Sequence, residues 1–199
     1  MCTNDEIMTP HEIIIAETSA WVNRAVIGLN LCPFAKAVAL KKQIRYVVTD
    51  AERVAELRES LAAEIRFLIG ANPAEIETTL LIHPRILTDF LDFNDFLAVA
   101  DATLQELGGK GVLQVASFHP QYQFAGTAAD EVSNATNRSP YPTLHLLREA
   151  SVSRAVATFG NTETIFETNI RTMKSLGAKG WAALQAQCRK DATESNDSK

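Results

Sequence analysis

Three short apolar segments, separated by two amphipathic helices, constrain the fold of this chain more than any other feature. The segments are residues 44–48, 78–83 and 112–118, and the helices are predicted to follow caps at Thr49 and Asn94. Parallel strands need a crossover connection, which a helix normally supplies. The sequence therefore predicts an α/β fold with a β-α-β-α-β core and an at least partly parallel sheet, with α+β as the alternative.

Further helices are predicted on both sides of this core. Thr9, Pro10 and Glu12 form a capping-box pattern with proline at the first helical position, so a helix is expected from there to about Gly28. Beyond the core, "TLHLLREA", "SVSRAVATF" and "NTETIFETNIRTMKSLG" have helical apolar spacing, and Gly177 is expected to end the last helix. The sheet is thus expected to be flanked by N-terminal and C-terminal helices.

The chain has the length of one domain. Its 199 residues are enough to bury a substantial core, and no repeat or linker divides them. Residues 1–190 are predicted to form a single globular domain. Residues 191–199, "DATESNDSK", are polar and are predicted to be a disordered tail.

Charge and cysteine content narrow the possible partners. The net charge is -5 and no basic stripe is present, which argues against nucleic acid or an anionic membrane. Cys2, Cys32 and Cys188 lack metal-finger spacing, and no signal peptide precedes the first helix, so a reducing cytoplasmic setting is expected. A small anionic molecule is the expected partner; the oligomeric state and any cofactor, such as a divalent metal, are left open.

Two predicted strands end in the same dipeptide, His-Pro. His83 follows the second strand and His119 follows the third. In open α/β sheets, ligands gather at the carboxyl ends of the strands. If the two strands are parallel neighbours, both imidazoles leave the same edge of the sheet, so His83 and His119 are candidate site residues.

Three roles are open to these histidines. They can be metal ligands, completed by Cys32 or His145, because a catalytic site of the zinc type needs three ligands and an open position. They can act as general acid or base, or contact a substrate, because imidazole titrates near neutrality. In the third interpretation they are structural, and backbone carbonyls satisfy their nitrogens.

Cys32 is the second candidate. It precedes a predicted short helix that starts at Pro33, and the positive end of a helix dipole lowers the pKa of a nearby thiol. Cys32 is therefore a candidate nucleophile or ligand. The alternative is an inert buried thiol packed by Leu31 and Phe34.

A long segment, residues 120–143, separates the third strand from the next predicted helix. Loops of this length in compact domains are usually functional or disordered, and the aromatic residues Tyr122, Phe124 and Tyr141 argue for order. Arg138 and Arg148 are predicted to grip a carboxylate or phosphate through paired donors. In the alternative interpretation, these arginines form surface ion pairs with Asp130, Glu131 and Glu149.

Four blocks of the sequence resemble a known family: "WVNRAVIGLNLCPFAKA", "TTLLIHPRILTDFLDFNDFL", "LQVASFHPQYQFAGT" and "TNRSPYPTLHLLREASV". They are similar to the signature blocks of the bacterial family catalogued as domain of unknown function 1415. The resemblance covers nearly the whole chain and implies a stand-alone bacterial cytoplasmic protein. It implies no activity, cofactor or catalytic residue.

The residues together predict a small α/β enzyme that acts on an anionic metabolite. Arg138 and Arg148 are expected to hold the acid group with Tyr122, Tyr141 and His145 nearby. His83 or His119 is expected to move protons, and Cys32 to act as nucleophile or ligand. The alternatives are a non-catalytic ligand-binding or protein-interaction module with Tyr122, Phe124 and Tyr141 as its surface, and a metal-binding protein.

Overall fold

The N-terminal helix begins where the capping box predicts. The computed structural model describes residues 8–159 and 162–194. Helix α1 spans Pro10–Trp21, with the Thr9 side chain accepting the Glu12 amide and the Glu12 carboxylate accepting the Thr9 amide. A π-helix, Val22–Ile27, continues it to Gly28, which confirms the predicted extent. At Gly28, a Cβ atom would lie 2.3 Å from the carbonyl oxygen of Arg24, so the close approach of backbone requires glycine here.

Four strands form one open, mixed sheet. Strands β1 (Ile44–Val48), β2 (Thr78–Ile82) and β3 (Leu113–Phe118) lie where they were predicted. Strand β4 (Thr143–Arg148) was predicted as a helix, and that prediction was wrong. The strand order is β1-β2-β4-β3, with β1 parallel to β2, and with β4 antiparallel to both β2 and β3. The predicted α/β class and partly parallel sheet are confirmed.

One face of the sheet is covered by the two crossover helices. Helix α2 (Ala35–Leu40) precedes β1, α3 (Val54–Gly70) joins β1 to β2, and α4 (Phe90–Glu106) joins β2 towards β3. The caps differ from those predicted, because Arg53 caps α3 and the Asp89 side chain accepts the amides of Leu91 and Asp92 at the start of α4. The largest fully buried side chains of this layer are Leu57, Leu61, Ile65, Leu68, Leu81, Phe93, Leu113, Leu144 and Leu146.

The other face is covered by the first and last helices. Helix α5 spans Glu149–Phe159, and α6 spans Thr162–Glu194 with a break at Gly177, where φ is 68°. Gly177 ends the first helical stretch of α6, as predicted, and a second helical stretch follows the break. Leu80 packs into this second core while Leu81 packs into the first, because neighbouring strand residues point to opposite faces.

The C-terminal end differs from the predicted tail. Residues 191–194 continue α6, so the predicted start of the disordered tail, residue 191, lies too early in the chain. Residues 195–199, like residues 1–7, lie outside the described part of the chain. That residues 1–190 form a single domain stays a prediction.

Candidate functional site

The two strand-end histidines leave the same edge of the sheet, although their strands are not neighbours. Strand β4 lies between β2 and β3, which corrects the expectation that these two strands pair directly. Because both run antiparallel to β4, their carboxyl ends still share one edge. The ring of Phe93 packs against both imidazoles, with centroid distances of 5.6 Å to His83 and 5.1 Å to His119.

His83 is completely buried and holds a turn. Its Nδ1 lies 3.0 Å from the carbonyl oxygen of Ile86, and since a carbonyl can only accept, Nδ1 carries the proton. Burial lowers the pKa of His83 to about 4, so the ring is neutral at neutral pH. Its Nε2 is then an acceptor, and it has no hydrogen-bond partner among the described residues.

His119 is also buried, and both of its nitrogens are occupied by backbone. Nε2 donates to the carbonyl oxygen of Leu87 at 3.1 Å, and Nδ1 accepts the amide of Gln121 at 3.0 Å. Desolvation lowers the pKa of His119. Three of the four imidazole nitrogens are therefore bonded to backbone, as the structural interpretation expects. The exception is His83 Nε2.

The described residues contain no metal-ligand cluster around this edge. Nowhere in residues 8–159 and 162–194 do three His, Cys, Asp or Glu side chains come close enough to hold a metal ion. Neither Cys32 nor His145 therefore completes a site with His83 and His119. The metal interpretation has no support from geometry.

Cys32 has the opposite pKa shift from the one predicted. It lies three residues before α2, and the amides of Phe34 and Ala35 do favour its thiolate. Burial outweighs them and raises the pKa of the thiol, because a partly buried thiolate loses hydration. Burial therefore opposes the activated thiolate expected at Cys32, and its role as nucleophile or ligand stays a prediction.

His145 lies in the middle of β4 rather than on a helix. Its Nε2 is 2.6 Å from the Thr78 hydroxyl, which itself donates to the carbonyl oxygen of Leu146, so the imidazole is the donor to Thr78. The ring packs against Phe118 at 5.9 Å, and burial lowers its pKa to about 4. These contacts place His145 inside the sheet structure.

Arg148 does not join Arg138. It ends β4 opposite Leu113, so it lies at the far end of the sheet from the histidines, roughly 17 Å along the strand from Thr143. Its Nη2 donates to the carbonyl oxygens of Ala71 at 2.9 Å and Ile76 at 3.1 Å. The predicted two-arginine grip is therefore wrong, since Arg148 is committed to the connection between α3 and β2.

The long segment 120–143 is ordered around one buried amide. Asn134 lies in a 3-10 helix, Val132–Asn137, and is completely buried. Its Oδ1 accepts the Phe124 amide at 3.0 Å and the Thr127 hydroxyl at 2.8 Å, and its Nδ2 donates to the carbonyl oxygen of Ala128 at 2.8 Å. One side chain thus fixes both ends of the inner turn.

Arg138 follows this 3-10 helix and is held by main-chain oxygens. Its Nε donates to the carbonyl of Tyr122 at 3.1 Å, and its Nη2 donates to that of Ala129 at 2.6 Å. The predicted alternative of ion pairs with Asp130, Glu131 or Glu149 is not observed, and Arg138 has no carboxylate partner among the described residues. Burial lowers its pKa.

A pocket of about 200 Å³ opens beside Arg138, between α1, the 120–143 segment and α6. We call it the Arg138 pocket. Its lining residues are Glu17, Trp21, Pro120, Arg138, Ser139, Pro140, Tyr141, Trp181, Gln185, Cys188 and Arg189. Arg138 and Tyr141 were predicted site residues. The helical contributors were missed because nothing in their local sequence links α1 to α6; a tryptophan on each helix was the available signal.

Tyr141 and Glu17 form the polar wall of the Arg138 pocket. The Tyr141 hydroxyl donates to Glu17 Oε2 at 2.5 Å. Burial, and then the neighbouring carboxylate, raise the pKa of Tyr141, so the phenol remains protonated. Tyr141 therefore serves as a hydrogen-bond donor and not as a base.

Tyr122 and Phe124 point into an aromatic row instead of the pocket. Tyr122 contacts Phe90 at 5.1 Å and Phe124 at 5.0 Å between ring centroids, and Phe124 contacts Phe166 of α6 at 5.6 Å. The row joins α4 to α6 across the long segment. Phe166, at its end, is 45% exposed.

A wider cavity of about 430 Å³ lies beside the π-helix, but it holds none of the predicted residues. Its lining is Asn23, Arg24, Gly28, Leu184 and Gln187. Arg24 is ion-paired to Asp191 there, and the cavity is more open to solvent than the Arg138 pocket. The Arg138 pocket is lined by more charged and hydrogen-bonding side chains than this cavity is.

A comparison with protein families matches the family described as "Protein of unknown function (DUF1415)" over residues 13–183. The chain belongs to this family. The matched range of this DUF1415 protein contains both strand-end histidines, the 120–143 segment and the pocket residues through Trp181. No curated protein and no solved structure matches the chain. Among the helices of the described residues, none has both the length and the apolar character needed to cross a membrane.

Proposed function

We propose that this DUF1415 protein binds a small organic anion in the Arg138 pocket, with the Arg138 guanidinium as the anion-binding group. One observation carries the proposal. Arg138 is a partly buried cation that lines a pocket and has no carboxylate partner among the described residues. Arg189 adds a second guanidinium to the same lining.

The hydrogen bonds of Arg138 prepare it for an anion. Carbonyls of Tyr122 and Ala129 fix the plane of the guanidinium, while Nη1 has no partner among the described residues. Removing a cation from water is costly unless an anion or strong acceptors replace the water. A carboxylate or phosphate fits the fork of an arginine, and a side chain already held in place loses little entropy on binding.

Enzymatic turnover of the anion is the stronger form of this proposal. The pocket offers the Glu17 carboxylate, whose Oε2 accepts the Tyr141 hydroxyl, as its acidic group. The Cys188 thiol also lines it, but burial raises its pKa, so it is not a ready nucleophile. Catalytic roles for His83, His119 and Cys32 remain predictions that turnover assays on single variants test.

Intrinsic fluorescence reports directly on this pocket, because Trp21 and Trp181 are the only two tryptophans of the chain and both line it. Titration with a panel of small carboxylates and phosphates is expected to give a saturable change. Arg138→Gln is expected to weaken binding by roughly 10- to 100-fold, the effect of losing a charge-assisted hydrogen bond.

Arg66→Gln is the matched control, since Arg66 is an exposed arginine on α3 outside the pocket. Arg138→Lys keeps the charge and loses the fork, so it is expected to bind with intermediate affinity. An unchanged affinity in Arg138→Gln, or no binding of any anion in the panel, would contradict the proposal. Product formation from the tightest binder, followed by NMR, separates an enzyme from a binding protein.

A protein-interaction module is the second candidate, favoured by the exposed ring of Phe166 at the end of the aromatic row. Aromatic residues are enriched at protein interfaces. Because Phe124 and Tyr122 are partly buried in the row, Phe166 is the ring most available to a partner. Loss of a partner from affinity captures on Phe166→Ser, with anion binding retained, would identify this second function.

A further inference from the structure

The Arg138 pocket contains a carboxylate as well as guanidinium groups. Glu17 reaches it from α1, and its Oε2 accepts the Tyr141 hydroxyl at 2.5 Å. Its Oε1 has no hydrogen-bond partner among the described residues, and no arginine or lysine of these residues pairs with it. One carboxylate oxygen is therefore left for a donor that the described residues do not supply.

Glu17 and Arg138 do not neutralise each other. They line one pocket without forming an ion pair; Glu17 accepts the Tyr141 hydroxyl, and Arg138 donates to two backbone carbonyls. A ligand with a negative group alone would leave the carboxylate without a counter-charge in a partly desolvated site. A ligand that carries both charges satisfies both groups.

The remaining walls suit a small cation next to the anion. Trp21 and Trp181 are both buried yet line the pocket, and an indole face is the best aromatic partner for an ammonium group. Trp21 is held in place by an edge contact with Phe118, with a centroid distance of 5.2 Å. The volume, about 200 Å³, is below the roughly 300–1,000 Å³ of pockets that enclose drug-sized ligands.

We propose that the ligand of this pocket is a free amino acid, whose carboxylate binds Arg138 and whose ammonium group donates to Glu17 beside Trp21 and Trp181. This inference rests on the proposed function, because it assumes that Arg138 binds an anion. It adds a second recognition group, Glu17, which sets the ligand apart from simple carboxylates and phosphates.

The test uses the full chain, the twenty free amino acids, and two derivatives of whichever binds most tightly. The N-acetylated derivative keeps the carboxylate and loses the ammonium charge, while the decarboxylated amine does the reverse. Tryptophan fluorescence and titration calorimetry report binding. The amino acid is expected to bind roughly 10- to 100-fold more tightly than either derivative, as expected for one lost charge-assisted hydrogen bond.

A variant of Glu17 provides a second test, which changes the protein instead of the ligand. Glu17→Gln keeps an acceptor for Tyr141 and removes the negative charge, so it is expected to lose affinity for the amino acid and to bind the N-acetylated form more tightly, because that anion no longer lies beside an unpaired carboxylate. Glu59→Gln, an exposed carboxylate on α3, is the matched control. Urea unfolding of each variant verifies that the fold is intact.

The outcomes separate this inference from the proposed function. If simple carboxylates bind in an Arg138-dependent manner and no amino acid binds more tightly, the amino-acid inference is overturned and the anion pocket stands. If Glu17→Gln binds the amino acid as tightly as the unaltered chain, the inference is overturned as well. If no amino acid and no anion changes fluorescence or releases heat, both proposals are overturned.

Discussion

His83 and His119 hold the carbonyl groups of neighbouring residues in one turn. His83 donates to Ile86 and His119 to Leu87, and Leu87 has a positive φ of 54°, which is uncommon for a residue other than glycine. The two imidazoles therefore stabilise a strained connection between β2 and α4. This role accounts for the position of both histidines at strand ends.

Stability is expected to fall in mild acid. Because burial lowers the pKa of His83 from 6.5 to about 4, the unfolded chain takes up a proton at a higher pH than the folded chain does. The contribution of His83 is complete above about pH 6.5 and is lost as the pH falls towards 4, on the order of 3 kcal/mol at most. His145 shifts in the same direction. Urea unfolding between pH 7.5 and 4.5 measures the slope.

A variant isolates the contribution of His83 to that slope. In His83→Asn the amide nitrogen takes the place of Nδ1 and continues to donate to Ile86, but it does not titrate. The variant is expected to be less stable at pH 7.5 and to lose less stability on acidification. A free energy of unfolding that is flat from pH 6.5 to 4.5 in the unaltered chain would contradict a neutral, buried His83.

Substitution of His119 tests whether its role is structural. His119→Ala removes the bond to Leu87, the acceptor for Gln121 and the ring against Phe93, and is expected to lower the free energy of unfolding by about 2–4 kcal/mol. Gln121→Ala retains its backbone amide and is the neighbouring control. A His119→Ala protein of unchanged stability that has lost turnover would instead assign His119 to acid–base chemistry.

Arg148 is expected to contribute to stability and not to ligand binding, in contrast to Arg138. Arg148→Ala leaves the carbonyls of Ala71 and Ile76 without their donor, so about 2–3 kcal/mol of stability is lost. Ligand affinity of the folded variant is expected to equal that of the unaltered chain, because Arg148 lies at the opposite end of β4 from the histidine edge. Denaturant unfolding and fluorescence titration on the same sample check both statements. Weakened binding by Arg148→Ala would instead support the original prediction that Arg138 and Arg148 hold the anion together.

Two glycines in helical backbone are expected to respond oppositely to alanine. At Gly28 the new methyl group would lie 2.3 Å from the Arg24 carbonyl oxygen, so Gly28→Ala is expected to cost more than about 2 kcal/mol or to displace the π-helix. At Gly70 the space is open, so Gly70→Ala is expected to be neutral or to stabilise by up to about 1 kcal/mol. Thermal unfolding of both variants compares them directly, and equal shifts in Tm would be inconsistent with the close approach at Gly28.

Local patterns predicted most elements, and the exception is informative. The capping box at Thr9 and the apolar runs of β1, β2 and β3 each depend on neighbours in sequence. Strand β4 does not depend on neighbours in sequence. It pairs on both sides and is largely buried, so its sequence lacks the alternation of apolar and polar residues that marks a half-exposed strand. Its leucines favour a helix when read alone. Pairing with Thr78–Ile82 and Leu113–Phe118 overrides that preference.

The candidate site was predictable in part for the same reason. Arg138 and Tyr141 lie in a long aromatic segment whose length and composition mark it as functional. Glu17 and Trp181 lie on helices whose periodicity predicts only which faces are buried. Their meeting depends on how α1 packs against α6 around the 3-10 helix, and sequence spacing carries no information about that arrangement.

The central position of β4 affects the order in which the sheet can assemble during synthesis. When the ribosome has produced only the first 142 residues, β1 and β2 can pair, but the inner side of β2 and the whole of β3 have no partner. Unpaired strand edges promote association between chains. Emergence of Thr143–Arg148 therefore closes both gaps with a single segment, and nascent chains that stall before it are the species most exposed to aggregation.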